Sequence, residues 1–231
     1  MAIKRISSGI SNLDPLIDGG FVKNSVNLVA GGAGCGKSIF AMQFIMEGLK
    51  KKEPGIYITF EEKKKRVYED MLEFGWELER YEKKGLFVFL EYTPEQVKKI
   101  LTEGGGIVEA IIEKLKARRI VIDSITSFSL LYEDELTKKE AALALFELIE
   151  KWDCTGILTS QDESKGGNTI TAALEFEVDG IILMYHVKKK GVRQRAMEIL
   201  KMRGTKIPEQ TFELEITGKG IKINPNKIED L

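Results

Sequence analysis

Short apolar runs alternate along the chain with longer segments whose apolar residues recur every three or four positions. The runs are nearly continuous in apolar character and rich in β-branched and aromatic residues, as in strands covered on both faces. They occupy residues 26–30, 56–60, 86–90, 120–122 and 156–159. This pattern predicts a parallel β-sheet.

The longer segments have the spacing of amphipathic helices. They cover residues 37–50, 64–74, 94–116 and 136–152, and three glycines at 104–106 interrupt the third. Strands joined by crossover helices follow the right-handed rule and favour a doubly wound sheet. The expected fold class is therefore α/β, with a mostly parallel twisted sheet flanked by helices.

The alternation of strand-like and helix-like segments ends after Ser160. A polar, glycine-containing stretch typical of a loop comes first, and then GIILMYHV, RAMEILKMRG, TFELEI and GIKIN follow, joined through KKKG and TGKG. These runs predict antiparallel hairpins that continue the sheet at its C-terminal edge. No linker or internal repeat divides the chain, so residues 1–231 are expected to form one domain.

Composition narrows the possible functions. The 35 basic and 36 acidic residues give a net charge of -1, which excludes a global field attracting nucleic acid or an anionic membrane. The start MAIKRISSGI lacks a secretory apolar region, and the apolar runs are too short to span a bilayer, so we expect a cytoplasmic protein. Two cysteines without CxxC spacing and a single histidine argue against a zinc site or a Ser-His-Asp triad.

The stretch GGAGCGKS fits the phosphate-binding pattern G-x-x-x-x-G-K-[ST] and lies between a predicted strand and a predicted helix. Its glycines let backbone N–H groups point at phosphate oxygens, and the helix adds the positive end of its dipole. In such a loop Lys37 reaches the β- and γ-phosphates and Ser38 ligates Mg²⁺. The predicted nucleotide contacts are Gly31, Gly34, Cys35, Gly36, Lys37, Ser38 and Ile39.

Acidic residues follow two of the predicted strands. Asp123 ends RIVID, at the edge where open α/β sheets bind ligands, and is expected to complete the metal site with Ser38. Glu61 and Glu62 end IYITFEE on the same edge, where a carboxylate can orient or deprotonate water for hydrolysis. The alternative for this pair is a solvated helix start, as EEKKKR suggests.

The whole chain resembles a single KaiC domain of the RecA-like ATPases. The resemblance rests on SSGISNLDPLIDGGF, NLVAGGAGCGKSIFAMQFIMEG, YITFEE, FGWEL, RRIVIDSIT, ILKMRGTKI and FELEITGKGIKI, in family order. It implies a RecA-like P-loop core, with ATP bound between the subunits of a ring that is usually a hexamer. It also implies that Glu61 and Glu62 activate water or a hydroxyl group.

The resemblance assigns further residues to the nucleotide. Lys201 and Arg203, which alternate on one face of a predicted strand, match cations that reach the neighbouring subunit's phosphates. Nucleotide contacts are also implied for Phe74, Gln161, Met202, Thr205 and Thr217. The alternatives are a solvated edge strand for the two cations, core packing for Phe74 and an ordinary loop position for Gln161.

The chain departs from the clock protein KaiC in two ways. It has one domain where that protein has two in tandem. When the resemblance is aligned on Asp179, the hydroxyl residues that the second KaiC domain phosphorylates fall near Glu175 and Phe176. Neither side chain can accept a phosphate, so self-phosphorylation at that position is not expected, although Thr169 and Thr171 nearby keep the question open. The first domain of that protein, which hydrolyses ATP, is the better match.

The expected function is therefore that of a Mg²⁺-dependent ATPase acting at the subunit interfaces of a self-assembled ring. One alternative is a recombinase paralogue in which the loop SKGGNTITAALEFE binds single-stranded DNA, although its acids outnumber its one lysine. The best remaining basic patch for that alternative is residues 188–195. A second alternative is a nucleotide-switched scaffold with little turnover.

Overall fold

The computed structural model describes residues 3–93, 95–96, 98–99, 106–129, 131–132, 134–161, 177–189 and 191–227. In these residues a nine-stranded sheet forms the centre of the molecule. Its strands are β3 (Val26–Gly31), β4 (Gly55–Thr59), β5 (Phe87–Glu91), β6 (Arg119–Asp123), β7 (Thr155–Gln161), β8 (Gly180–Lys189), β9 (Val192–Met202), β10 (Phe212–Thr217) and β11 (Gly220–Lys227).

The strand order is β11-β10-β9-β8-β3-β7-β6-β4-β5. From β8 to β5 each neighbouring pair is parallel, whereas β8-β9, β9-β10 and β10-β11 are antiparallel. Both the predicted parallel sheet and the predicted C-terminal hairpins are therefore confirmed. The carboxyl ends of β3, β4, β6 and β7 meet at one edge, where the glycine-rich loop begins.

The helices flank this sheet. They are α1 (Lys37–Lys50), α2 (Lys64–Leu72), α3 (Leu78–Lys83), α4 (Gly106–Leu115), α5 (Ile125–Ser129) and α6 (Glu135–Lys151). The first predicted helix is confirmed at both ends, and the second ends two residues earlier than predicted. The short helices α3 and α5 were not predicted, because five or six residues show too little periodicity. Part of the predicted segment 94–116 lies outside the described residues, and α4 covers its end.

Two apolar clusters cover the two faces of the sheet. Val29 and Tyr57 belong to the cluster packed against α1 and α2, whereas Leu28 and Ile56 belong to the cluster packed against α4 and α6. Because successive strand residues point to opposite faces, both faces need apolar side chains. This double coverage explains the continuous apolar runs.

A small two-stranded sheet precedes the main one. Strands β1 (Arg5–Ile6) and β2 (Phe21–Val22) pair antiparallel, and a 3-10 turn at Asp14–Ile17 connects them. The Asp14 carboxylate accepts hydrogen bonds from the Ser8 N–H at 2.8 Å and the Ser8 hydroxyl at 2.5 Å. Strands of two residues carry no periodic signal, so the sequence did not predict this sheet.

A buried arginine fixes the start of β6. Arg119 is fully buried, and its guanidinium group contacts the Glu53 carboxylate at 2.7 Å. It also donates to the carbonyl oxygens of Ser7 at 2.8 Å and Phe44 at 2.9 Å. The side chain thus ties the N-terminal segment and α1 to the strand that ends at Asp123.

The region proposed as a DNA-binding loop lies largely outside the described residues, as do Thr169, Thr171, Glu175 and Phe176. Among the described helices, none combines the length and the apolar character that crossing a bilayer requires.

Candidate nucleotide site

The glycine-rich loop connects the end of β3 to the start of α1. At Gly31 a Cβ atom would lie 1.9 Å from the Met184 carbonyl oxygen, so only glycine allows β8 to approach this closely. Gly36 precedes α1 with a φ of 104°, a left-handed conformation that glycine adopts without strain. The loop therefore turns sharply into the helix, and the free N–H groups of the first helical turn open onto it.

The Lys37 side chain lies along the loop. Its Nζ donates hydrogen bonds to the carbonyl oxygens of Gly31 at 2.8 Å and Gly32 at 2.9 Å. Burial lowers the pKa of Lys37 below its usual value, and the nearby Cys35, Asp123 and Glu61 act in the opposite direction. The ammonium group is thus held beside the loop by backbone oxygens and faces two carboxylates.

Asp123 ends β6 between two buried hydroxyl groups from neighbouring strands. Its Oδ2 accepts a hydrogen bond from the Tyr57 hydroxyl of β4 at 2.5 Å, and its Oδ1 accepts one from the Thr159 hydroxyl of β7. Tyr57 is completely buried, and together with the Asp123 charge this raises the pKa of its hydroxyl well above the usual value. Both oxygens of Asp123 are fixed in direction by these contacts.

Glu61 and Glu62 follow β4. Their backbone N–H groups donate hydrogen bonds to the Thr59 hydroxyl oxygen at 3.3 Å and 3.2 Å. Glu61 Oε1 accepts hydrogen bonds from the Ser124 hydroxyl at 2.9 Å and from the Ser127 hydroxyl. Glu62 lines the same cavity as Asp123. Partial burial of its carboxyl group and the neighbouring Asp123 charge raise its pKa above the usual value.

These groups line one cavity of about 360 Å³ at the carboxyl edge of the sheet. Its lining residues are Ala33, Gly34, Gly36, Lys37, Ser38, Ile39, Glu61, Glu62, Asp123, Ser124, Gln161, Arg195 and Ile216. The structure therefore brings together the predicted loop, the predicted metal ligands, both glutamates and Gln161. The Gln161 N–H donates to the Thr126 hydroxyl at 2.7 Å, which fixes its backbone at the rim.

Arg195 is a cavity residue that the sequence analysis did not single out. Arg195 of β9 pairs with His186 of β8. His186 lies two residues after Met184, and Met184 pairs with Gly31 at the end of β3. The Arg195 Nε donates to the Gly34 carbonyl oxygen at 3.2 Å. Arg193 and Arg195 alternate with polar or apolar neighbours along β9, and that alternation was the available signal. Only the strand pairing shows that Arg195 points to the loop.

Cys35 is buried within the loop, and its Sγ lies 3.5 Å from His186 Nδ1. Burial raises the pKa of the Cys35 thiol. Cys35 does not line the cavity. The predicted nucleotide contact of Cys35 would therefore come from its backbone.

Four of the predicted nucleotide residues lie at the opposite edge of the sheet. Met202 of β9 pairs with Gly180 of β8, and Gly180 also pairs with Asn27 near the start of β3. Lys201 is the residue before Met202 on β9. Arg203 Nη1 lies 3.3 Å from Asp179 Oδ1, and the Thr205 hydroxyl accepts a hydrogen bond from the Arg5 guanidinium at 2.9 Å. These residues therefore do not reach the cavity of their own chain.

Phe74 lies in a second cleft of about 250 Å³. The cleft is also lined by Met46, Lys50, Gly75, Trp76, Glu77, Arg80, Tyr81 and Lys219. The Phe74 and Trp76 rings have centroids 5.0 Å apart, and Phe74 is only partly buried.

Thr217 follows Ile216, which lines the cavity beside the glycine-rich loop. The Thr217 hydroxyl donates a hydrogen bond to the Gly220 carbonyl oxygen at 2.9 Å.

The cavity offers oxygen ligands to a metal ion. Ser38, Asp123 and the two glutamates are hard donors, the kind that Mg²⁺ prefers. Among the described residues no three His, Cys, Asp or Glu side chains converge as a closed metal cage. Mg²⁺ at nucleotide sites is held by one or two protein groups together with the phosphates, so the residues present fit this ion.

A glycine loop between a parallel strand and a helix, with acidic strand ends beside it, defines the P-loop class of nucleotide-binding α/β proteins. Comparison with known proteins identifies the family. The family model described as "ATPase: KaiC" matches residues 6–228. The chain belongs to the KaiC ATPase family.

Similar proteins occur in Pyrococcus and Synechocystis. A UPF0273 protein of Pyrococcus furiosus is 32% identical over 98% of this chain and 96% of its own length. The circadian clock protein KaiC3 of Synechocystis is 32% identical over 96% of this chain but only 46% of its own length. The crystal structure of a KaiC-like protein from Pyrococcus horikoshii superposes with a TM-score of 0.86 at 32% identity, covering 97% of this chain and all of that one. The RecA-like fold expected from the sequence is thereby confirmed.

Proposed function

We propose that residues 1–231 form one cytoplasmic ATPase domain that binds ATP with Mg²⁺ and hydrolyses it at the interfaces of a ring. The observation that carries this proposal is the meeting of Lys37, Ser38, Asp123 and Glu61 in one cavity at the carboxyl edge of the sheet. A phosphate-binding loop alone would support binding. Carboxylates beside that loop support hydrolysis as well.

The triphosphate binds along the loop from Gly31 to Ser38, where backbone N–H groups and the start of α1 face it. Lys37 exchanges its two carbonyl partners for phosphate oxygens when the nucleotide enters. Arg195 adds a second cation from the same chain, because its guanidinium group already lies on the loop. Phe74 and its aromatic cleft would contact the adenine.

Ser38 and Asp123 would hold the metal ion. The chemistry supplied by the bound ion would be neutralisation of phosphate charge. The Asp123 carboxylate lines the cavity and is oriented by its two hydroxyl partners.

The two glutamates have different roles in this proposal. Glu61 orients the attacking water, because Ser124 and Ser127 already fix its Oε1. Glu62 accepts the water proton, because partial burial and the Asp123 charge raise its pKa above the usual value for a glutamate. The water oxygen bonds to the γ-phosphorus as the bond from that phosphorus to the β–γ bridging oxygen breaks, and ADP carries the electron pair away.

Lys201 and Arg203 serve the neighbouring subunit. Their place at the far edge of the sheet, away from their own cavity, supports a head-to-tail ring in which each subunit completes the next site. Met202, buried at the same strand end, anchors the two cations, and Thr205 belongs to the turn that follows. A hexamer and a regulatory role for ATP turnover are part of this proposal.

Phosphate release tests the proposal. Lys37→Ala and Glu62→Gln are each expected to lower Mg²⁺-dependent release by about 10²-fold or more. Glu69→Gln, on the exposed face of α2, serves as the matched control and should release phosphate at the unaltered rate. Wild-type protein that binds ATP and assembles with it but releases no phosphate would identify a nucleotide-switched scaffold instead.

A further inference from the structure

The hydroxyl group of Tyr57 lies beneath the proposed metal site. Tyr57 is the middle residue of β4, is 1% exposed, and stacks on Phe89 with ring centroids 5.4 Å apart. An apolar ring would fill this position equally well. The polar end of the side chain is therefore unexplained by packing, since a buried hydroxyl group costs free energy unless it is hydrogen-bonded.

That hydroxyl group holds one of the two residues proposed to bind the metal. It donates to Asp123 Oδ2 at 2.5 Å, and the Ser38 side chain is near enough to offset part of the rise in its pKa. Tyr57 of β4 therefore fixes the carboxylate at the end of β6.

Thr159 completes the arrangement from the other neighbouring strand. It is fully buried, and its hydroxyl group donates to the second oxygen of Asp123. A carboxylate with one buried donor on each oxygen cannot rotate without breaking a hydrogen bond. Its remaining lone pairs keep a fixed direction.

We infer that Tyr57 and Thr159 are positioning residues for the metal: they fix the Asp123 carboxylate, one donor on each oxygen, so that Mg²⁺ strengthens nucleotide binding. This inference rests on the proposed function, because it requires that Ser38 and Asp123 hold the ion. Partners that orient metal ligands typically change metal affinity or activity by about 10- to 100-fold when they are removed.

The test measures binding and not turnover. A fluorescent ATP analogue is titrated into the full chain in EDTA and again at a series of Mg²⁺ concentrations. Tyr57→Phe removes only the hydroxyl group, and Thr159→Val removes the other donor at nearly constant volume. Mg²⁺ increases the affinity for the analogue, and the Mg²⁺ concentration that gives half of this increase is expected to be about tenfold higher in both variants than in the wild type. Their affinity in EDTA should equal that of the wild type.

The matched control is Tyr68→Phe. Tyr68 packs edge-on against the same Phe89 at 5.5 Å, but its hydroxyl group lies beside Glu82 and away from the site. Its Mg²⁺ requirement should not change. An unchanged requirement in both Tyr57→Phe and Thr159→Val overturns the inference, and so does an equal loss of affinity in EDTA and in Mg²⁺. Thr159→Val decides the question alone if Tyr57→Phe does not fold.

Wild-type behaviour separates the two proposals. If the wild type binds the analogue more tightly with Mg²⁺ and the two variants do the same at equal Mg²⁺, only the positioning role fails. If the wild type binds no analogue, or binds it equally well in EDTA, the proposed function fails and the positioning role fails with it.

Discussion

Arg195 and Lys201 lie on the same strand, β9, but near its two opposite ends. Arg195 pairs with His186 and donates to the Gly34 carbonyl oxygen of its own loop at 3.2 Å. Lys201 pairs with Ile181. It lies six residues after Arg195 along β9, which places the two residues roughly 20 Å apart. In a head-to-tail ring one strand would thus contact two successive nucleotide sites.

This arrangement predicts that two inactive variants restore each other when they are mixed. Arg203→Ala is expected to lower turnover by about 10³-fold, and Lys37→Ala by a similar factor. In a random mixed ring, about a quarter of the interfaces join the intact loop of one variant to the intact arginine of the other. Phosphate release from co-purified mixed rings should therefore recover to about a quarter of the wild-type rate.

Arg195 supplies the control for the mixing experiment. Because Arg195 and Lys37 belong to the same chain's site, each Arg195→Ala subunit in a mixture with Lys37→Ala carries its own defect. Those mixtures should gain nothing over the sum of the separate proteins. Recovery with Arg195→Ala, or none with Arg203→Ala, would contradict the division of roles between the two ends of β9.

Two neighbouring glycines of the loop should differ sharply in their tolerance of alanine. A Cβ at Gly31 would meet the Met184 carbonyl oxygen at 1.9 Å, whereas one at Gly32 would have no atom within 4 Å. Gly31→Ala is expected to lose ATP binding and about 1–3 kcal/mol of stability. Gly32→Ala should retain or slightly gain stability. Equilibrium unfolding in denaturant and analogue binding measure both effects, and equal losses would contradict the steric explanation.

The phosphate loop and its strand and helix were predictable because their signals are local. The spacing of Gly31, Gly36 and Lys37 lies within seven residues, and the helical periodicity starts at once after them. The acidic strand ends could be placed for a similar reason, since parallel strands end at one edge.

The parts of the site that the sequence did not predict depend on strand pairing. Tyr57 reads as one more apolar strand residue, and its partner Asp123 lies 66 positions later in the chain. Their contact exists because β4 and β6 are neighbours in the sheet although β5 lies between them in sequence. Arg195 was missed for the same reason: its register against β8 decides which edge it reaches.

The ion pair between the buried Arg119 and the partly exposed Glu53 should be important for stability. Arg119 is fully buried, and replacing Glu53 removes the one carboxylate that forms an ion pair with it in the described residues. Glu53→Ala is therefore expected to lower the free energy of unfolding by about 3 kcal/mol. Glu69→Ala breaks the exposed pair with Lys65 and should cost less than about 0.5 kcal/mol. Equal small losses in denaturant unfolding would show that the buried guanidinium is solvated by other means.

His186 predicts how stability varies with pH. It is the chain's only histidine, and Arg193 and Arg195 face it from β9 while Cys35 faces it from the loop. Partial burial, followed by the charges of Arg193 and Arg195, lowers the pKa of His186. Its neutral form is therefore favoured in the folded state.

The sign of the effect follows from proton uptake. As the pH falls below about 6.5, the unfolded chain binds a proton at His186 that the folded chain resists. Stability should therefore be highest above this pH and fall as the pH drops through the lower folded-state pKa. In His186→Asn, denaturant unfolding between pH 7 and pH 5 should show a shallower loss than in the wild type, and equal slopes in the two proteins would contradict the assignment.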